Sequence, residues 1–221
     1  MLQVLYEDNH LVVINKQWGD LVQGDKTGDT TLGDDVKEYI KRKYKKPGDV
    51  FLGVVHRLDR PVSGAVLFAR TSKGLERMNK LFKDREVEKV YWAITKNKPA
   101  ELEGTLVNWL KKDSKQNTVK AYNNDKKGGQ RAELSFRLIG RMAEYYLLEV
   151  RPMTGRPHQI RVQLAKMGCP ILGDVKYGGE KTKDRSGIYL HSRELNFDHP
   201  VKKEPVRISA KPPKDQIWSL F

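Results

Sequence analysis

Two short stretches hold residue types from which chemistry could be built. The first is His56-Arg57-Leu58-Asp59-Arg60, which follows an apolar run and precedes Pro61-Val62-Ser63-Gly64. A carboxyl between two arginines favours its ionised form, because nearby positive charge stabilises the anion. Such a carboxylate can act as a nucleophile, or stabilise cationic character at a sugar carbon while a glycosidic bond breaks. Asp59 could equally cap a turn or pair structurally with an arginine, and the local sequence leaves both readings open. The second stretch is Thr154-Gly155-Arg156-Pro157-His158-Gln159-Ile160-Arg161. Pro157 suits a first helical position, and Ile160 with Leu164 gives an i, i+4 apolar face, so a short helix is predicted over about 157–167. Its free amides would suit an anion. On that helix His158 and Arg161 share a face, with Arg156 at the entrance. Arg161 could then reach a carboxylate and Arg156 a phosphate; ordinary solvation of a helix end is the competing reading. Tyr91, between Val90 and Trp92, offers either a ring for base stacking or plain core packing.

Other chemistries find no support. Gly168–Gly173 has the glycine spacing of a phosphate-binding loop, but Asp174 stands where the lysine should be and would repel phosphate. No HExxH, paired CxxC or EF-hand pattern occurs, and histidines 10, 56, 158, 191 and 199 are dispersed. Ser63 lacks the frame of a hydrolase elbow. Chemistry without a metal or an organic cofactor is the expectation. The lone Cys169 cannot form an intramolecular disulfide.

The elements that must position these residues read as an α+β fold in one domain over 1–221. Strands are predicted at Val4–Tyr6 and Leu11–Ile14 around a turn, at Phe51–Val55, Ala65–Ala69 and Val87–Thr95, and around 104–110 and 117–122. Ala132, Leu134, Phe136 and Leu138 alternate, and Tyr146, Leu148 and Val150 continue that pattern. A Gly- and Asp-rich loop precedes a helix marked by Leu32, Val36, Tyr39 and Ile40. A second helix carries Leu75, Met78, Leu81 and Phe82. Hairpin-like neighbours outnumber strand-helix-strand units, which predicts a mainly antiparallel mixed sheet flanked by helices and loops.

Charge narrows the partner. Lys and Arg number 42 against 28 Asp and Glu, for a net charge of +14. Residues 1–50 hold eight basic and nine acidic residues, while 51–221 hold 34 and 19, so the excess is regional. A polyanion fits, because cations that neutralise phosphates release condensed counterions; scattered solvating lysines are the alternative. The basic run at 41–46 reads as a solvated helix end. Apolar runs such as Ala65–Ala69 fall far short of the roughly 20 residues that span a bilayer, and Glu7 and Asp8 stand where a cationic signal region would be. A cytoplasmic location without membrane contact is expected.

At these residues the sequence resembles the RluA-type pseudouridine synthases. The resemblance rests on five ordered motifs. They are His-Arg-Leu-Asp with Ser63-Gly64; Lys89-Val90-Tyr91-Trp92-Ala93; Thr-Gly-Arg-Pro-His-Gln-Ile-Arg-Val; Gly173-Asp174 with Tyr177-Gly178; and Leu190-His191 before Phe197-Asp198-His199-Pro200. It runs through nearly the whole chain and leaves no room for the S4 domain that some relatives carry. It implies a pseudouridine-synthase-like catalytic domain that isomerises uridine in structured RNA, ribosomal or transfer, without a cofactor. By resemblance Asp59 is the catalytic carboxylate and Arg161 its partner. Tyr91 would stack on the target uracil and help handle the C5 proton, and Arg57 would enter the space left by the extruded nucleotide. Arg156 and His158 would contact the substrate, and Ile160 and Leu164 would floor the base, although helix packing explains the last two as well. Two departures stand out: Gln17 follows Lys16 where relatives usually show Lys-Pro, and Pro61-Val62 removes a hydroxyl before Ser-Gly. They bear on substrate choice. No obligate protein partner is implied, and monomer is the default. The competing reading is a catalytically inactive RNA-binding protein of the same fold.

Overall fold

The computed structural model describes residues 2–24, 28–125, 127–182 and 187–221. The Gly- and Asp-rich loop predicted before the first helix falls partly on 25–27, outside the described residues. Among the described residues, eleven strands and three helices form two compact units, Met1–Glu88 with Ser192–Pro213 and Lys89–His191 with Lys214–Phe221. The α+β class expected from the sequence is the one observed.

The first unit opens with β1 (Val4–Glu7) and β2 (Leu11–Lys16), an antiparallel hairpin. Its turn is closed by Asp8, whose Oδ1 accepts the His10 and Leu11 amides at 2.8 Å each. β4 (Ser63–Ala69) pairs with β2 from Leu11↔Ala69 to Lys16↔Gly64. Beside β4 lies β10 (Leu190–Asp198), and β11 (Pro205–Ser209) pairs with β10. Both β2 and β4 are buried at every residue, which is why they read as continuous apolar runs without alternation. Gly64 has φ 115°, and a Cβ there would lie 2.3 Å from the Ser192 carbonyl oxygen, so only glycine allows the close approach.

Helix α1 (Leu32–Lys43) starts at a capping box between Thr31 and Asp34, and α2 (Ser72–Lys83) at Thr71, whose hydroxyl accepts the Gly74 amide. α2 sends Met78 into a core of Leu11, Val13, Leu67, Leu195 and Phe197. The basic run at 41–46 is exposed, as expected of a helix end. The strand predicted at Phe51–Val55 shrinks to β3 (Gly53–Val54), because it meets only the Phe68–Ala69 end of β4; Phe51 lies outside it, exposed.

The second unit is a five-stranded antiparallel sheet in the order β5 (Glu88–Thr95), β9 (Tyr145–Pro152), β8 (Gln130–Met142), β6 (Glu103–Asp113), β7 (Thr118–Tyr122). Helix α3 (Gln159–Lys166) covers one face, where Val162 meets Leu110, Val119 and Ala132. Among the described residues no helix is long and apolar enough to cross a membrane.

Candidate active site

Asp59 sits on the irregular segment between β3 and β4. Leu58 beside it is buried, which leaves Asp59 half-exposed and Arg57 and Arg60 on the surface. The Val62 amide donates to the Asp59 carbonyl at 3.0 Å, closing a turn. What holds that turn is Lys16 at the end of β2. Its side chain is 0 % exposed, and Nζ donates to the carbonyls of Gln17 (3.0 Å), Arg60 (3.0 Å) and Val62 (2.6 Å). Burial pulls its pKa down to about 8, against the opposing pull of the Asp20 and Asp59 charges. Arg60 directs its guanidinium to the Gly19 carbonyl at 3.0 Å and to Asp29 at 3.1 Å. His56 stacks on Phe82, with ring centroids 5.2 Å apart. The sequence reading had no role for Lys16 in this loop. Its one signal is a cation at the end of a strand that opens with the apolar run Leu11–Ile14.

In the second unit the register places Tyr91 on the face that α3 covers. Tyr91 pairs with Val150 and Val150 with Phe136, and Phe136 shares its side of β8 with Leu134 and Ala132, which lies under Val162. Tyr91 is itself buried. Helix α3 begins at Gln159, two residues later than predicted. The reason is a set of bonds that hold 154–158 as loop. Gln159 Oε1 accepts the Thr154 hydroxyl (2.8 Å) and the Arg156 amide (3.0 Å), and Nε2 donates to the Glu133 carbonyl (3.0 Å). His158 is left-handed at φ 52°, so it precedes the helix and does not share its face with Arg161.

His158 and Arg161 nevertheless converge on one residue. His158 Nδ1 lies 2.6 Å from the Tyr177 hydroxyl, which also accepts the Val119 amide at 3.0 Å. The Arg161 guanidinium lies over the Tyr177 ring, 5.2 Å from its centroid. Arg161 is only 6 % exposed, and it forks onto Asp174, with Nε to Oδ2 at 2.7 Å and Nη2 to Oδ1 at 2.8 Å. Asp174 is 1 % exposed. The carboxylate that disqualifies a phosphate loop is thus a buried arginine's partner. Sequence reasoning missed this pairing, although Asp174 and Tyr177 both stand in quoted motifs. Arg156 is tied down, with Nε donating to the Arg131 carbonyl at 3.2 Å. Of the two floor residues, Leu164 is fully enclosed, and only Ile160 offers surface, at 7 %. Asp59 and Arg57 thus belong to the first unit; Tyr91, Arg156, His158, Ile160, Arg161 and Leu164 belong to the second.

Comparison with known proteins agrees in sequence and in fold. A family model described as RNA pseudouridylate synthase matches residues 10–166. Ribosomal large subunit pseudouridine synthase C of Rickettsia prowazekii is 32% identical over 212 residues, covering 95% of this chain and 68% of the relative. Ribosomal large subunit pseudouridine synthase D of Borreliella burgdorferi is 33% identical over 201 residues, covering 89% and 61%. The solved structure of human RNA pseudouridylate synthase domain containing 4 superimposes with a TM-score of 0.81 at 25% identity, over 99% of this chain and 91% of that one. A match over most of the chain, carrying the motifs of both loops, makes this chain a member of the RNA pseudouridylate synthase family.

Proposed function

We propose that this chain converts specific uridines of structured RNA, ribosomal or transfer, to pseudouridine, with Asp59 as the catalytic carboxylate. The N1–C1′ bond breaks, the uracil turns, and C5 bonds to C1′; the C5 proton leaves and N1 takes up a proton, so no atom is gained or lost overall. Addition of the carboxylate to the ring, attack on C1′ and elimination to a glycal all require an ionised oxygen beside an extruded nucleoside. Extrusion costs a few kcal/mol of unstacking, which contacts to the protein must offset. Tyr91 supplies the stacking face and handles the C5 proton. Arg161 supports the carboxylate, and its own orientation is set by Asp174. Arg57 occupies the vacated stack, Arg156 and His158 contact the substrate backbone, and Ile160 touches the base.

The observation that carries this reading is Asp59 itself. Within a motif of the family it is half-exposed, on a turn whose carbonyls are fixed by a buried ammonium. A carboxylate that must meet one atom of an extruded nucleoside, as nucleophile or as base, gains from such fixing. The names of relatives make large-subunit ribosomal RNA the first substrate to try. Pseudouridine mapping of ribosomal and transfer RNA treated with purified protein is expected to show new sites, and Asp59→Asn is expected to abolish them while keeping RNA binding. Binding without conversion of any RNA pool by the wild type would replace this reading with that of a non-catalytic RNA-binding protein.

A further inference from the structure

The sheet of the second unit has a face that uridine isomerisation leaves unused. Leu110, Val119 and Ala132 point toward α3, so their neighbours along each strand point the other way. Those neighbours are Trp109 and Lys111 on β6, Lys120 on β7 and Arg131 on β8, with Tyr122 next in phase on β7. The pairing sets them side by side: Trp109 is opposite Tyr122 on one flank and Arg131 on the other, and Lys111 is opposite Lys120. An aromatic pair is therefore bordered by three cations on one surface. Lys111, Lys120 and Arg131 are exposed, and both aromatics are partly so.

Two features of this face are costly without a ligand. Like charges directly opposite in an antiparallel ladder destabilise it, and Lys111↔Lys120 is such a pair. A tryptophan and a tyrosine on the outer side keep part of their surface in water. Among the described residues no ion pair joins a carboxylate to Lys111 or Lys120. Glu133 pairs with Arg131 at 2.6 Å, and Asp113 Oδ1 accepts the amides of Lys115 (3.0 Å) and Gln116 (3.2 Å) in the turn. Phosphates would relieve the lysine repulsion, and unpaired bases would cover the rings. A duplex would offer the charge without the ring faces, because its bases are already stacked.

We propose that this face is a second RNA contact, binding a single-stranded segment whose bases stack on Trp109 and Tyr122 and whose phosphates lie against Lys111 and Lys120. The proposal rests on RNA being the substrate, and it places a flanking single strand on the side of the sheet opposite α3. Its test is a titration of labelled oligouridine and of a duplex of equal length, alongside conversion of ribosomal RNA.

Trp109→Ala with Tyr122→Ala is expected to weaken oligouridine binding roughly ten-fold or more and duplex binding far less. Lys111→Thr with Lys120→Thr, two exposed positions, is expected to lower the slope of log affinity against log salt by about 1.4, for two phosphates on a single strand. The same pair should raise the urea midpoint, because it removes the like-charge repulsion; a gain in stability joined to a loss of affinity is what a purely structural role would not produce. Unchanged oligouridine affinity in both variants, with wild type that binds and converts RNA, overturns this inference alone. Wild type that neither binds nor converts RNA overturns the isomerase reading on which it rests.

Discussion

Lys16 and Arg161 are both cations withdrawn from water, one in each unit, and they are held in opposite ways. Lys16 gives its hydrogen bonds, among the described residues, to three main-chain carbonyls. Arg161 forks onto the Asp174 carboxylate and lies against the Tyr177 ring. The chemistry of the groups explains the division. An ammonium is a compact centre with three donors that can follow carbonyls converging from an irregular turn, whereas a planar guanidinium matches a carboxylate edge and an aromatic face. Lys16 therefore fixes the shape of a backbone, and Arg161 is itself fixed as a side chain. The consequence is that charge neutralisation dominates at Arg161, while at Lys16 desolvation goes largely uncompensated and its pKa falls to about 8.

The largest effect should come from breaking the fork. Asp174→Ala leaves a buried guanidinium without its carboxylate, which costs about 3–5 kcal/mol. Urea unfolding would read this directly, and a loss below about 1 kcal/mol would mean that Arg161 is neutralised elsewhere and the contrast with Lys16 is false. Asp174→Asn keeps the shape and removes the charge; it should lower kcat by roughly 100-fold through misorientation, with a smaller change in KM. Replacing both partners with apolar residues, Arg161→Met with Asp174→Leu, should recover much of the stability and none of the activity. That pair of outcomes separates a positioning role from a merely structural one.

Lys16→Met comes next. It leaves the carbonyls of Gln17, Arg60 and Val62 without their shared donor, and at about 1 kcal/mol net per bond the loss is about 2–3 kcal/mol. Activity should fall with kcat, because the turn that carries Asp59 loosens. The pH dependence gives a sharper reading. Below pH 8 Lys16 is protonated in both the folded and the unfolded chain. Between about 8 and 10.4 the folded chain has released the proton that the unfolded chain still holds, so stability from this group rises with pH. The stability of wild type relative to Lys16→Met should therefore increase by about 3 kcal/mol across that window. A flat difference would show that Lys16 is hydrated, and the comparison with Arg161 would lose its basis.

The same contrast marks where sequence is legible. The hairpin of β1 and β2, helices α1 and α2, and the alternation of β8 and β9 are local patterns, and they appear in the structure close to their predicted bounds. Asp59, Tyr91 and Arg161 stand out in the sequence as motif residues, and their roles are what the proposed function assigns. What was not legible depends on partners far along the chain. Lys16 is buried by a turn 44 to 46 residues away. The start of α3 is delayed because Gln159 reaches the Glu133 carbonyl on β8. Asp174 has no local feature that points to Arg161 thirteen residues earlier, and its place in a glycine-rich segment suggested only what it could not bind. Residue types identify candidate chemistry, whereas the partners that orient those residues are set by tertiary contact.

The smallest effect belongs to Glu7, where the arrangement is inverted and an anion is enclosed by donors. Tyr39 (2.8 Å), Tyr44 (2.8 Å), Lys43 (2.6 Å) and Arg70 (3.0 Å) all reach its carboxylate, joining β1 to the end of α1 and to the residue after β4. Burial alone would raise its pKa, but the bonds from Lys43, Tyr44 and Tyr39 outweigh burial and hold it below the ordinary carboxylate range. Its contribution is thus complete above about pH 4.3 and is lost as pH falls through the lower folded value. Glu7→Gln keeps an acceptor oxygen and should cost about 1 kcal/mol at pH 7, a cost that shrinks in acid. Because this cluster orients none of the proposed catalytic groups, isomerisation at pH 7 should be unchanged. A fall in kcat comparable to that of Lys16→Met would mean that any buried ionic cluster in the first unit governs Asp59, and that the carbonyl grip of Lys16 is nothing special.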